Sequence, residues 1–213
     1  MLPSTEEVLE LAAEKKRREW GIVDQCIPDV MTMLMKLKDD GTIVNYQRVP
    51  DNQLPDDEAE FDPHTKIIRI RESTFDAAND LFRRDLHKRA RFTIAHEIAH
   101  AICKHQRVRH RNVSNRPIEK IVAQTRIDEA EANRVAGALL IPRHLLDMAS
   151  EPTASEISER FQVSLKAATI RLEELGRMHR RKHGIRRPLP KEVRDFLLEA
   201  KRRGRNVRIL DDE

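Results

Sequence analysis

Arg91 to Ile102 reads Arg-Phe-Thr-Ile-Ala-His-Glu-Ile-Ala-His-Ala-Ile, with two histidines four residues apart. On a helix of 3.6 residues per turn, His96 and His100 fall about 40° apart on one face. That spacing lets both imidazoles reach one metal ion, for which zinc is the usual occupant. Glu97, beside the first histidine, is placed to take a proton from an attacking water. Ile94, Ile98, Ala101 and Ile102 gather on the far side, roughly 140° to 240° from His96. Ala95 and Ala99 fill the sector beyond. The helix is thus small or apolar except where the reactive groups point. The plain alternative is a core helix with two hydrogen-bonded histidines.

The rest of the chain suits such a helix. Hydrophobic residues make up 39% and aromatics only 4%, so the expected core is Ala, Leu and Ile. No apolar run reaches the length of a membrane span. No apolar h-region follows the first residues, so no secretory signal is expected. Cys26 and Cys103, the only two cysteines, make no disulfide framework and favour a reducing cytoplasm. The net charge of +4 conceals an asymmetry. Residues 177–213 hold 13 Lys/Arg against 6 Asp/Glu, so the remainder is net acidic.

Ser4 with Glu6 and Glu7 predicts a helix start, and that helix runs to about Arg18. Leu9, Leu11 and Ala12 read as one side of it, and Glu6, Glu7, Lys15 and Lys16 as the other. A second helix follows Pro28, with Val30, Leu34 and Leu37 at helical spacing, and Asp40-Gly41 stops it. Thr42–Val49 and Thr65–Arg71 have the β-branched, partly alternating character of strands. They predict a small antiparallel sheet over the cleft. Pro50–Pro63 between them is rich in Asp and Glu. It reads as a loop, either simply solvated or a rim that steers a charged substrate. Ala77–Lys88 is helical and leads into the helix of the paired histidines, which ends near Lys104-His105. His105 falls near 180° on the helical wheel, the wrong face for a ligand. Gln106–Arg126 reads as a surface loop.

Asp128 is the expected N-cap of the next helix and Pro142 its stop. With Glu129 at 0°, Ala132, Asn133, Ala136 and Leu140 fall within about 60° of it, while Glu131 falls near 200°. Glu129 therefore sits on the stripe that must pack inward. A carboxylate there is costly unless paired or bound to a metal. Glu129 is the expected third ligand and Glu131 a solvated surface charge. Asn133, one turn away, either orients a ligand or packs as an ordinary helix residue.

These two motifs, Arg-Phe-Thr-Ile-Ala-His-Glu-Ile-Ala-His and Glu-Ala-Glu-Ala-Asn-Arg-Val-Ala-Gly-Ala-Leu-Leu-Ile-Pro, closely resemble those of the ImmA/IrrE family of metallopeptidases. The resemblance covers about residues 25 to 176. It implies a zincin-like fold and one zinc held by His96, His100 and Glu129, with Glu97 as general base. It also implies peptidase action on regulatory proteins, typically helix-turn-helix repressors of mobile elements or stress genes. Manganese or iron can occupy the same donor set. Ile98-Ala99 departs from the usual Leu-Gly, Val135 from Phe and Gly137 from Ala, and none of these touches the expected ligands. A second oxyanion donor is normally needed. Tyr46 and His105 are weak candidates for it.

Pro152–Gly176 has a helix-turn-helix pattern, with Ile157 and Phe161 on one face and Ala168, Leu172 and Leu175 on another. If it read DNA, Lys166, Thr169 and Arg171 would face the groove. The adjacent Glu173 and Glu174 favour packing against the peptidase domain. The tail is basic, with a short helix expected at Pro188–Ala200 that turns Val193, Phe196 and Leu197 inward. It suits non-specific nucleic-acid contact, or a solvated or protein-binding extension.

The expected fold class is α+β, mainly α. A zincin-like domain over residues 1–150 precedes a helix-turn-helix-like segment over 151–178 and a basic extension over 179–213. The expected function is zinc-dependent cleavage of a DNA-binding repressor in the cytoplasm, with no membrane partner. The alternative is a DNA-associated regulator or toxin–antitoxin component whose metal site is structural or vestigial.

Overall fold

A computed structural model of the chain describes residues 4–80, 82–105, 118–184 and 191–205. The chain divides into two units, Met1–Leu175 and Gly176–Glu213. The first holds α1 (Thr5–Glu19), α2 (Val30–Asp39), β1 (Asn45–Val49), β2 (Ala59–Asp62), β3 (Ile67–Arg71), α3 (Glu72–Asn79), α4 (Arg84–Cys103), α5 (Ile118–Leu140) and α6 (Ala154–Phe161). Helix α7 (Leu165–Lys182) begins in this unit, and α8 (Lys191–Arg202) lies in the second. Among the described residues no helix is long and apolar enough to cross a membrane.

Ser4 caps α1 as its sequence predicts. Its hydroxyl accepts from the Glu7 N–H, and the Glu7 carboxylate accepts from the Ser4 N–H at 2.9 Å. The inward face differs from expectation. Leu11 is 46% exposed, and Leu9, Glu10, Ala13 and Arg17 are buried. The buried charges find partners, except that Arg17 Nε has none among the described residues. Arg17 donates to the carbonyls of Leu139, Ile22, Val23 and Gln25. Glu10 takes a bidentate pair from Arg171 at 2.6 and 2.9 Å.

The sheet has three strands in the order β1-β3-β2 and is mixed. The two expected strands are neighbours, but they run parallel. The reason is an additional strand, β2, inside the acidic run that reads as a loop. It forms an antiparallel hairpin with β3. The chain reverses twice between β1 and β3, so both point the same way. Ala59 and Phe61 of β2 are buried and alternate with Glu60 and Asp62, a period of two over only four residues. Two of the neighbouring acids, Asp51 and Glu58, are tied down. Asp51 accepts from the Ser73 N–H at 3.1 Å. Glu58 accepts from Thr93 at 3.1 Å and pairs with Arg89 at 2.6 Å.

Helix α5 begins at Ile118, ten residues before the expected cap, while 106–117 of the expected loop lies outside the described residues. Asp128 sits within the helix, where its carboxylate accepts from Gln124 at 2.7 Å. The second half of α5 packs against α4 and α1, and helical hydrogen bonding continues through its charged, exposed first half.

Residues 151–175 belong to the first unit. Ile157, Phe161, Val163 and Ala168 join its core. Buried Arg91 reaches from α4 to the carbonyls of Phe161 at 3.0 Å, Gln162 at 2.6 Å and Pro28 at 3.2 Å. Burial lowers its pKa to about 10, so it stays charged at neutral pH. Arg171, expected to face a groove if this segment read DNA, is 1% exposed and held by Glu10. Lys166 and Thr169 are exposed. In the second unit Val193 and Phe196 of α8 are 42% and 67% exposed, contrary to their expected inward facing.

Candidate metal centre

Helices α4 and α5 pack more extensively on each other than any other pair of elements. That packing needs close approach, which Ala95, Ala99, Ala132 and Ala136, all fully buried, permit. It brings the two motifs together. His96 Nε2 lies 3.0 Å from His100 Nε2 and 3.1 Å from Glu129 Oε2, and His100 Nε2 lies 3.4 Å from Glu129 Oε1. A tetrahedral zinc with ligands at 2.0–2.1 Å spaces its donor atoms about 3.3 Å apart. The three donors fit such an ion. Without a metal, hydrogen bonding to His100 and then His96 holds the Glu129 carboxyl well below the usual carboxylate range.

Glu97 is buried, and donor atoms of His96, Glu97 and His100 lie within 4.8 Å of one another. One of its oxygens accepts the backbone N–H of Phe61 in β2 at 2.6 Å. This charge-assisted bond fixes that oxygen toward the sheet. Two consecutive residues of α4 thus divide their work, His96 toward the donor cluster and Glu97 toward the strand edge.

His105 and Glu131 depart from expectation. The wheel argument for His105 assumes that α4 continues through it. The helix instead ends at Cys103, and Lys104 adopts a left-handed conformation at φ 56°. The His105 N–H returns to the His100 carbonyl at 3.1 Å and the Lys104 N–H to that of Ala101 at 3.2 Å, a Schellman turn. The turn folds the His105 ring under His100, with Nδ1 to Nδ1 at 3.0 Å. Its Nε2 meets Glu131 Oε2 at 3.2 Å, so Glu131 is no simple surface charge. With both ring nitrogens of His105 engaged, it offers no N–H to an oxyanion. Tyr46 sits on β1, at the sheet edge opposite β2. Asn133 is exposed. Burial raises the Cys103 thiol to about 12, which keeps it protonated and a poor ligand. Cys26 and Cys103 are both free. Because a β-branched side chain is crowded at positive φ, Lys104→Ile is expected to cost about 1 kcal/mol. Thermal unfolding checks this, with a fall of about 2–4 °C expected.

A helix bearing His-Glu-x-x-His faces a carboxylate from the next helix, a donor set suited to a divalent metal ion. The profile of the family described as Peptidase_M78, IrrE N-terminal-like domain, matches residues 47–173, and the chain belongs to that family. No curated protein sequence matches it. Among solved structures, a Mycobacterium tuberculosis transcriptional regulator is similar at 21% identity and a TM-score of 0.48. The match covers 76% of this chain and 45% of that one, so the chain spans less than half of that protein's length.

Proposed function

We propose that the protein is a zinc-dependent peptidase that cleaves a regulatory protein, most simply a helix-turn-helix repressor. The observation that carries this reading is the convergence of His96, His100 and Glu129 with Glu97 beside them. A structural site has no use for a buried carboxylate next to its ligands, whereas hydrolysis needs a base there. Zinc held by the three donors supplies Lewis acidity toward a peptide carbonyl. Glu97 accepts the proton of the attacking water and returns it to the leaving amine. The Phe61 N–H orients the Glu97 carboxylate that takes this proton. The same N–H ties β2, an edge strand, to Glu97, which supports alignment of an extended substrate strand along that edge.

The test is incubation of the zinc-loaded chain with purified helix-turn-helix repressors as candidate substrates. Cleavage is expected to stop on chelation and to return with zinc. Glu129→Ala is expected to weaken zinc binding by roughly 100-fold, at or beyond the upper end of what loss of an outer-shell partner costs. Cleavage that persists in metal-free protein would sink the reading.

A further inference from the structure

We infer that Glu131 and His105 form a positioning relay that sets the tautomer and ring orientation of His100. The inference rests on the metal-centre reading above and concerns groups outside its three donors. His105 is 6% exposed, and its ring stands at 76° to that of His100 with centroids 5.0 Å apart. His105 comes from the turn after α4, and Glu131 from α5, two residues beyond Glu129.

The proton count decides the direction of the relay. A neutral imidazole carries one N–H and one lone pair. His100 Nε2 faces His96 and Glu129, so its lone pair must point into the donor cluster for a metal to bind. The His100 proton then resides on Nδ1 and is donated to His105 Nδ1. That nitrogen accepts, so the single proton of His105 sits on Nε2 and is donated to Glu131. The opposite assignment aims an N–H of His100 into the donor cluster. It also sets a bare nitrogen of His105 against a carboxylate oxygen at 3.2 Å. Glu131 therefore selects, through two rings, the one tautomer of His100 that can ligate. His105 itself is excluded as a ligand because the nitrogen nearest His100 meets Nδ1, not the Nε2 side where the donors converge.

Such outer partners orient ligating histidines and raise their basicity, and their loss typically costs 10–100-fold in metal affinity. The test uses the full chain, zinc competition against a chromophoric chelator, and ¹⁵N NMR of its histidine rings. In the zinc-loaded wild type, His100 is expected to carry its proton on Nδ1 and His105 on Nε2. His105→Leu is expected to weaken zinc binding about 10–100-fold. His105→Asn, whose Oδ1 can accept where Nδ1 does, is expected to restore most of that loss, which a purely space-filling role would not predict. Should His105→Leu not fold, Glu131→Ala, a change at a partly exposed side chain, is expected to weaken zinc about 10-fold and to unsettle the His105 tautomer. Zinc binding unchanged in His105→Leu or Glu131→Ala would overturn the relay alone. So would a His105 proton found on Nδ1 in the wild type. A wild type that takes up no zinc would overturn the relay and the metal centre together.

Discussion

Glu97→Gln is expected to lower kcat for repressor cleavage by roughly 10²–10⁴-fold, the usual contribution of a positioned general base. Zinc affinity is expected to stay at the wild-type level, because the three donors come from His96, His100 and Glu129. The substitution is nearly isosteric. The amide oxygen of the new side chain can still accept from the Phe61 N–H, so the bond between α4 and β2 survives. What the change removes is the carboxylate's ability to take a proton. Since that role is exercised in the transition state, kcat falls while KM changes little. Zinc content by competition assay and single-turnover cleavage separate the two effects. Cleavage at an undiminished rate by a zinc-loaded Glu97→Gln protein would assign the base elsewhere.

The parts of this site that are legible in the sequence are those held by helix periodicity. His96 and His100 share a face because four residues is close to one turn, and Glu129 can be picked out because Ala132, Ala136 and Leu140 on its side of the helix pack inward, although Glu129 itself stays half-exposed and Asn133 exposed. Both inferences need only that the chain be helical at those points. His105 and Glu131 escape for a specific reason. One residue in left-handed conformation, Lys104, ends α4 and reverses the chain, and lysine carries no signal for that turn as glycine would. Once the helix ends there, the wheel angle of His105 has no meaning, and the partner that draws Glu131 from the surface is invisible. Strand β2 is hidden differently. Its four residues lie in an acidic run, and alternation over that length is hard to tell from a loop. The inward face of α1 is misread from sequence because buried charges look like surface charges until their partners are known. Glu10 finds its partner 161 residues away, and Arg17 reaches one of its carbonyls, that of Leu139, 122 residues away.

Those distant partners define the largest stability effect expected in the chain. Arg171→Met is expected to cost roughly 3–5 kcal/mol, because it leaves Glu10 charged, buried and without a partner among the described residues. At about 2–4 °C per kcal/mol for a chain of this size, the midpoint of thermal unfolding falls by about 10 °C. Glu10→Met is expected to cost less. Arg171 would still have Glu174 at 3.5 Å and the Ile141 carbonyl at 3.0 Å. The double change Glu10→Met with Arg171→Met removes both charges and is expected to regain most of the loss, as buried ion pairs replaced by apolar groups of similar size often do. It does not regain all of it, since the Ile141 carbonyl loses its donor, worth about 1 kcal/mol. Ile141 directly follows α5, which also carries Glu129, so the pair fastens α1 and α7 to the end of the helix that supplies the third donor. Denaturant unfolding of the two single variants and the double variant measures the coupling directly. If Arg171→Met lost less than about 1 kcal/mol, the value typical of an exposed pair, Glu10 would have to be solvated or protonated in the folded chain.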